Sequence, residues 1–224
     1  MRPPSKAERA AYAIGLVLLI VGHGLALFWV PPERMMGEVG RILYVHVPAA
    51  WLSLVAYTIS FGAAVGFLFT GRRSMDHTAV ASAEAGVVLN ALLLATGSLF
   101  ARPTWGVWWT WDPRLTSSAV MWLTFVGVLL LRSVVHDPER RATWSAVSTV
   151  MAYVNIPITY FSVQMWRSIH QVQSNPGTMD SDMVFVLRFN AFAVLFLLLG
   201  WLGTGRRIAA SIDARESAPP LESP

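Results

Sequence analysis

The chain contains no cysteine and few charged residues. Without cysteine it forms no disulfide, no thiolate metal site and no iron–sulfur cluster with ligands of its own. Only 13% of its 224 residues are charged and 54% are apolar, whereas roughly 25% are charged in an ordinary soluble domain. This balance excludes a typical soluble fold. The sequence pI of about 10.0 does not indicate nucleic acid as a partner, because cationic loops commonly raise the pI of membrane proteins.

Long apolar stretches separate the short clusters of charge. Each has about 20 residues, the length that a helix needs to cross a hydrocarbon core roughly 30 Å thick, and almost no polar side that would face water. The sequence therefore predicts an all-α, polytopic membrane protein with six transmembrane helices and outer-face loops. The predicted spans are residues 11–30, 47–70, 79–99, 116–131 (or to 135), 143–163 and 183–203.

The two ends of the chain have different characters. The first apolar stretch follows basic residues, as a secretory signal does, but it is long for a signal core. Pro31-Pro32 comes next instead of a small-residue cleavage site, so we expect this span to be retained. Residues 1–210 are expected to form one membrane domain. Residues 211–224 end in a proline- and serine-rich stretch and predict a disordered cytoplasmic tail.

The distribution of basic residues predicts the orientation. Six spans place both termini and the loops at 71–78 and 132–142 on one side, and the loops near 31–46, 100–115 and 164–182 on the other. Basic residues favour the cytoplasmic side of a membrane, so both termini are expected in the cytoplasm. The terminal side carries eleven of the 17 basic residues, and the outer side carries six: Arg34, Arg41, Arg102, Arg114, Arg167 and Arg188.

Four of the ten tryptophans fall within seven positions, in the segment WGVWWTWDPRLTSS that begins at residue 105. Tryptophan is common at bilayer interfaces, where its ring is apolar and its N–H is wet. An interfacial belt is spread over many helix ends, however, and explains so dense a cluster poorly. On a short helix, Trp105, Trp108 and Trp109 would share one face. Together with Trp111 they predict a broad aromatic surface, suited to a flat, apolar ligand such as a porphyrin.

Asp112 and Arg114 directly follow the tryptophans. Asp112-Pro113 is typical of a turn before a helix, and Thr116 or Ser117 is expected to cap the fourth span. Two roles are open for the charged pair. They form a local ion pair that fixes the loop, or Arg114 makes a two-pronged hydrogen bond to a ligand carboxylate such as a heme propionate.

Two of the five histidines stand on the same side as the tryptophans. His46 lies at the entry to the second span and His170 follows the fifth. Neutral imidazole is a good axial ligand for heme iron, so we expect these two side chains to bind iron from opposite faces. Arg41 and Arg167 lie close to them in the sequence and are further candidates for contacts with propionates.

The remaining polar residues have ordinary interpretations. His77 and His136 are expected to be solvated in cytoplasmic loops, and His23 to form a helix-packing hydrogen bond within the membrane. Pro157 predicts a kink in the fifth span. Three further residues inside the spans are interpreted as interhelical hydrogen-bonding groups: Glu84, Asn90 and Asn155. For Glu84, a position near the cytoplasmic surface is the alternative.

The segment WGVWWTWDPRLTSS closely resembles the tryptophan-rich WWD signature of the heme-handling proteins of cytochrome c biogenesis. That superfamily presents heme on an outer-face loop flanked by two histidines. Within it, the chain is similar to the CcmC family in its length, its six spans and the segments RILYVHVPAAW and VNIPITYFSVQMWRSIHQ. The resemblance covers most of the chain, from about residue 41 to residue 170.

This resemblance implies heme export and transfer. Heme b would be held at the outer face of the bacterial cytoplasmic (inner) membrane, with His46 and His170 as axial ligands. It would then pass to the heme chaperone CcmE, with the small protein CcmD and the ATP-binding transporter CcmAB as further partners. The sequence shows no recognisable nucleophile, paired carboxylates or nucleotide-binding loop, so no enzymatic reaction is expected.

Three alternatives are open at the level of sequence. A membrane cytochrome b would place its ligand histidines inside spans, where only His23 lies. The larger heme ligases of the same superfamily are longer, with more spans and extra intramembrane histidines. A small-molecule transporter with interfacial tryptophan anchors would bind no heme and would be unaffected by changes at His46 or His170.

Overall fold

The structure is a computed structural model and describes residues 3–170 and 179–216. Within these ranges it contains no β-strand, and six helical segments are long and apolar enough to cross a membrane. The predicted all-α, six-span architecture is therefore confirmed. A short 3₁₀ helix precedes α2. The α-helices are α1 Lys6–Phe28, α2 Leu43–Thr70, α3 Arg73–Trp105, α4 Pro113–Val134, α5 Pro138–Tyr153, α6 Asn155–Met165 and α7 Ser181–Glu216.

Polar caps place helix ends outside the predicted apolar stretches. α4 begins at Pro113, with Asp112 as its N-cap, so the prediction that Thr116 or Ser117 caps this span is wrong. The Asp112 carboxylate accepts backbone N–H groups of the first turn, and a proline at the first helical position has no N–H that needs a partner. α5 begins with the same Asp-Pro arrangement.

The fifth span is broken at Val154, between α5 and α6. Pro157 lacks the N–H that a continuous helix would use, and its ring would clash with the preceding turn, which accounts for the break; the predicted kink remains a prediction. Asn155 stabilises the break. Its Nδ2 donates to the Ala152 carbonyl at 3.1 Å and, across to α4, to the Thr124 hydroxyl at 3.4 Å.

α2 and α3 form the centre of the bundle. They pack along each other and both contact α7, while α4 packs against α3, α5 and α6. Close packing depends on a small residue, because a Cβ added at Gly86 would lie 2.5 Å from the Tyr57 ring. That ring stacks on Phe125 with centroids 3.8 Å apart. The Asn90 side chain donates to the Ser118 carbonyl of α4 at 3.3 Å, which confirms the expected interhelical contact.

Ion pairs hold the end of the bundle that lies opposite the tryptophans. His77 Nε2 lies 2.7 Å from Asp213 Oδ2, and the His77 side chain is only 12% exposed, so the prediction that it is solvated is wrong. Arg141 pairs with both Asp213 and Glu216. These contacts order the end of α7, which stays helical to Glu216 where the sequence predicted the start of a disordered tail. The remainder of that tail lies outside the described residues.

Candidate functional site

Four separate elements meet at the end of the bundle that carries the tryptophans. His46 stands in the first turn of α2, Thr96 lies towards the end of α3, and Asp112 begins α4. His170 lies in the segment that follows α6. The two histidine rings and the Arg114 guanidinium are close enough to interact electrostatically. The fold thus brings together four residues predicted from distant parts of the sequence, His46, Asp112, Arg114 and His170, and adds Thr96, which was not predicted.

The His46 ring is fixed against α3. Its Nδ1 lies 3.1 Å from the Thr96 hydroxyl. The adjacent residue, Gly97, leaves room for the ring, since a Cβ added there would lie 3.2 Å from His46 Cε1. His46 therefore sits on a rigid helix, and its ring is hydrogen-bonded to the neighbouring helix at Thr96, with the Leu93 backbone as a further partner.

The Asp112 carboxylate connects the start of α4 to the histidine segment after α6. Its side chain is only 3% exposed. Oδ1 accepts the Arg114 backbone N–H at 2.9 Å and lies 3.3 Å from His170 Nδ1, while Oδ2 accepts the Ile169 backbone N–H at 2.9 Å. The carboxylate thus caps a helix and orients a histidine at the same time. The Arg114 contact is made by its backbone, in place of the side-chain ion pair considered from the sequence.

Burial and hydrogen bonding determine the charge states of Asp112 and His170. Burial raises the pKa of Asp112, but the Ile169 and Ser168 donors, the Arg114 backbone and His170 outweigh it and hold the pKa below its ordinary value. Burial also lowers the pKa of His170 despite the opposing attraction of the carboxylate. At neutral pH the site therefore contains an ionised aspartate that accepts the Nδ1–H of a neutral imidazole, with Nε2 left as a free electron-pair donor.

The Arg114 side chain enters the site as a half-buried cation. Besides the two histidines, it lies within electrostatic reach of Asp112 and Tyr160. Its Nη1 is buried and has no hydrogen-bond partner among the described residues. A buried donor without an acceptor costs about 1–3 kcal/mol, and more when it is charged. An anionic group placed beside Nη1 would remove this cost, so Arg114 fits the carboxylate-binding role that the sequence left open.

The tryptophans form a loop surface and not a helix face. Trp105 is the last residue of α3, and Gly106, with φ of 80°, ends the helix. The prediction that three tryptophans share a helix face is therefore wrong, because this left-handed glycine turns the chain away. Trp105 packs edge-on against His170 with ring centroids 5.8 Å apart, and Trp109 packs edge-on against Trp111 at 6.2 Å.

Two of the loop tryptophans project far into their surroundings: Trp108 is 56% exposed and Trp111 is 83% exposed. Neighbouring segments add further exposed apolar side chains, among them Trp166 and Ile169. The site is therefore bordered by an accessible aromatic surface, as the sequence predicted, although the residues reach it from a loop.

Arg41 and Arg167 were also considered for contacts with propionates. Arg41 forms an ion pair with Glu38 and donates to the Ala26 and Val30 carbonyls at the end of α1. It therefore stabilises that helix terminus. Arg167 is exposed.

His23 differs from its predicted role. Its Nδ1 lies 2.9 Å from the Leu19 carbonyl of the same helix, so the hydrogen bond is made within α1 and not between helices. Thr96 and Gly97 were not predicted from the sequence, because one threonine and one glycine in an apolar span are ordinary features. Only the contact with His46 reveals them.

Comparison with known sequences assigns the chain to a family. The chain matches the family described as "CcmC: Heme exporter protein C" over residues 4–218. Heme exporter protein C of Bradyrhizobium diazoefficiens is 36% identical over 190 residues, which cover 84% of this chain and 72% of that protein. The Escherichia coli K12 heme exporter protein C is 34% identical over 185 residues, with 81% and 75% covered. A putative cytochrome c biosynthesis ccmC-like mitochondrial protein of Marchantia polymorpha is 33% identical over 178 residues, with 79% and 75% covered. The chain therefore belongs to the CcmC, or heme exporter protein C, family.

Proposed function

We propose that this CcmC-family protein binds heme b at the outer face of the cytoplasmic membrane and delivers it to the heme chaperone CcmE for c-type cytochrome biogenesis. Family membership supports a role in heme handling. The observation that carries the finer proposal is the grouping of His46 and His170 with the buried, unpartnered Nη1 of Arg114.

Two imidazoles suit heme iron better than a bare metal ion. A porphyrin supplies four nitrogen ligands, so the iron needs only axial ligands from the protein, whereas a structural zinc ion needs four protein ligands. Within residues 3–170 and 179–216, no group of three or more His, Asp or Glu side chains is arranged to hold a metal ion. His46 and His170 each have Nδ1 in a hydrogen bond, so Nε2 is the atom available to iron.

The surroundings match the other parts of a heme molecule. The porphyrin ring is flat and apolar, and Trp105 beside His170 together with the exposed Trp108 and Trp111 offers aromatic surface for it. The propionates are anionic, and Arg114 offers a buried charged donor that lacks an acceptor among the described residues. A neutral small molecule without an anionic group would not remove the free-energy cost of burying this unpaired donor.

The two proposed ligands are held in different ways, which suits a protein that must also release its cargo. His46 stands on α2 and packs against α3, while His170 lies on a segment between helices and is attached through Asp112. Segments between helices rearrange more readily than helices do. Transfer would begin with movement of the His170 segment, and the protein would perform no covalent chemistry.

The proposed orientation places the site outside and both termini in the cytoplasm. The eleven-to-six distribution of basic residues supports it. In this orientation the exposed Trp108 and Trp111 face the compartment from which a chaperone would approach. CcmD and the CcmAB transporter are proposed as further partners on the basis of family membership.

The visible spectrum of the full chain, purified in detergent and supplied with heme, tests the proposed site. The parent is compared with a His46→Ala/His170→Ala variant and with His136→Ala, a control because His136 is exposed and distant from the site in the sequence. We expect the parent and the control to show the spectrum of a histidine-ligated heme and the double variant to lose it. A double variant with an unchanged heme spectrum would show that the ligand assignment is wrong.

Heme transfer is tested separately with the loaded parent protein. Mixing it with purified CcmE and then separating the two should move heme to the chaperone. Retention of all heme on the parent, under conditions in which CcmE accepts heme from another source, would contradict the proposed delivery step.

A further inference from the structure

We propose that Thr96 is a positioning residue that holds His46 in the tautomer whose Nε2 can bind heme iron, and that Gly97 provides the space in which the ring is held. The inference rests on the proposed binding of heme by His46 and His170. It concerns residues outside the tryptophan segment and outside the two ligand-bearing segments.

The hydrogen bonds around Thr96 determine where its one hydroxyl proton goes. The Thr96 Oγ1 lies 2.7 Å from the Leu92 carbonyl, 3.2 Å from the Leu93 carbonyl and 3.1 Å from His46 Nδ1. A carbonyl oxygen only accepts, so the shortest contact requires that the hydroxyl donate to Leu92. If the proton pointed at His46 instead, both carbonyls would face an oxygen lone pair at short range.

Because the hydroxyl proton is used on a carbonyl, the Thr96 oxygen faces His46 as an acceptor. The His46 nitrogen opposite it must then carry the proton, which makes His46 the Nδ1–H tautomer. In this tautomer Nε2 has the free electron pair that a metal ligand needs. The opposite tautomer would place a proton on Nε2 and could not bind iron.

His46 and His170 are oriented in the same way, but the partner of His46 is neutral and the partner of His170 is charged. His170 donates its Nδ1–H to the Asp112 carboxylate, and His46 donates its Nδ1–H to the neutral Thr96 hydroxyl. A carboxylate partner raises ligand basicity more than a hydroxyl does. Thr96 therefore performs for His46 the orienting role that Asp112 performs for His170, with a weaker effect on the iron.

Gly97 complements this role sterically. A methyl group at this position would lie 3.2 Å from His46 Cε1, the carbon between the two ring nitrogens. A contact this short requires the ring to shift by a few tenths of an ångström, so the methyl group is expected to disturb the contact between Nδ1 and Thr96. Gly62 in α2 has no atom within 4 Å of an added Cβ, so Gly62→Ala is a matched control for Gly97→Ala.

Heme titration of the full chain in detergent, with the bound spectrum recorded at each point, tests the proposal. The variants are Thr96→Val, which removes the hydroxyl with little change in shape, and Thr96→Ser, which keeps it. Thr78→Val is the control, because Thr78 also lies in α3 and donates to the carbonyl four residues earlier. We expect Thr96→Val to weaken heme binding about tenfold to a hundredfold, the usual effect of removing an orienting partner of a metal ligand.

The spectrum and the conservative variant distinguish positioning from a general loss of structure. Thr96→Val and Gly97→Ala should both increase the fraction of heme that has lost one axial ligand, while Thr96→Ser, Thr78→Val and Gly62→Ala keep the parent spectrum. If Thr96→Val and Gly97→Ala bind heme as the parent does, while His46→Ala/His170→Ala loses it, the positioning role is wrong and the proposed function stands. If the double histidine variant also binds normally, both proposals are wrong.

Discussion

His170 Nδ1 lies 3.3 Å from Asp112 Oδ1, and the same carboxylate caps α4 through the Arg114 backbone N–H. One buried aspartate therefore fixes the start of a span and the ring of a proposed heme ligand. This relationship explains why the aspartate directly follows the tryptophans. The loop that offers aromatic surface ends on the residue that orients the neighbouring imidazole.

Replacing the aspartate separates its charge from its shape. Asp112→Asn keeps an oxygen for the helix cap but removes the negative charge that His170 donates to. We expect heme affinity to fall about tenfold or more. Thermal stability should also fall, because the two carboxylate oxygens accept backbone N–H groups of Arg114 and Ile169, and an amide has one oxygen acceptor and one NH2 donor. Asp112→Ala should lower both heme affinity and thermal stability, since the N-cap contributes about 1 kcal/mol to the free energy of unfolding.

Heme titration and thermal unfolding of the two variants in detergent check this prediction. Asp137→Asn is the control, because Asp137 caps α5 by accepting the Arg140 backbone N–H and is far from the site in the sequence. Equal heme affinity in Asp112→Asn and the parent would argue against an electrostatic role for the carboxylate.

Arg114 is predicted to recognise the propionates. Arg114→Gln should weaken binding of heme about tenfold to a hundredfold, the range for losing a hydrogen bond to a charged group. The stability of the heme-free protein should stay the same or rise, because the substitution removes a buried cationic donor without a partner among the described residues. Arg167→Gln is the control, since Arg167 is exposed.

Heme dimethyl ester gives a second, independent measure of the same contact. The parent should bind the ester more weakly than heme, by about the factor lost in Arg114→Gln. The variant should bind both compounds alike, because its propionate contact is already gone. A variant that discriminates between them as strongly as the parent does would assign propionate recognition to another residue.

Acidification is predicted to release heme through His170. Burial lowers the pKa of this imidazole from its ordinary value of 6.5, so the folded site favours the neutral ring. The neutral form is fully populated above 6.5, and it is lost as the pH falls through the lowered pKa. Only the neutral ring can bind iron.

Heme occupancy should therefore be constant from pH 8 to about pH 6.5 and fall at lower pH, with a midpoint below the ordinary histidine value. Heme occupancy is measured from the absorbance of the ligated heme across a pH series. Circular dichroism at each pH checks that the helices persist. Loss of heme already between pH 8 and pH 7 would contradict the assigned neutral state of His170.

The exposed tryptophans are predicted to serve the ligand and not the fold. Trp108→Ala and Trp111→Ala should leave thermal stability nearly unchanged, because both rings are more than half exposed. An aromatic contact with the porphyrin contributes about 0.5–1.5 kcal/mol, so each variant should lower heme affinity about two- to tenfold.

Trp144→Ala is the control for interfacial anchoring, because Trp144 is 53% exposed but lies in α5, near the opposite end of the bundle. Affinities measured in lipid nanodiscs should distinguish the two roles. If all three substitutions have the same small effect, the loop tryptophans act only as membrane anchors.

The fold was largely predictable, because apolar stretches of membrane-spanning length leave few alternatives to helices. Helix ends were less predictable, since they depend on individual caps. Asp112 and not Thr116 begins α4, and pairs made by Asp213 and Glu216 extend α7. The hydropathy pattern shows neither which residue caps a helix nor which distant residues form an ion pair.

The site was predictable in composition but not in geometry. Four tryptophans within seven positions, with two histidines and an arginine on the same side of the membrane, are an unusual combination, so His46, His170 and Arg114 could be selected from the sequence. The left-handed Gly106 that ends α3 determined the placement of the tryptophans, and the sequence interpretation missed it. Thr96 lies in an apolar helix and becomes meaningful only through a contact between residues 50 positions apart.

The central claim is that two histidines from separate elements bind one heme. The most direct test is the visible and electron paramagnetic resonance spectrum of the heme-loaded full chain beside its His46→Ala and His170→Ala single variants, each with and without added imidazole. We predict a six-coordinate, low-spin heme in the parent, loss of one axial ligand in each variant, and recovery of the parent spectrum when imidazole fills the vacant position. A parent heme that is not ligated by two histidines, or single variants whose spectra match the parent, would contradict the account.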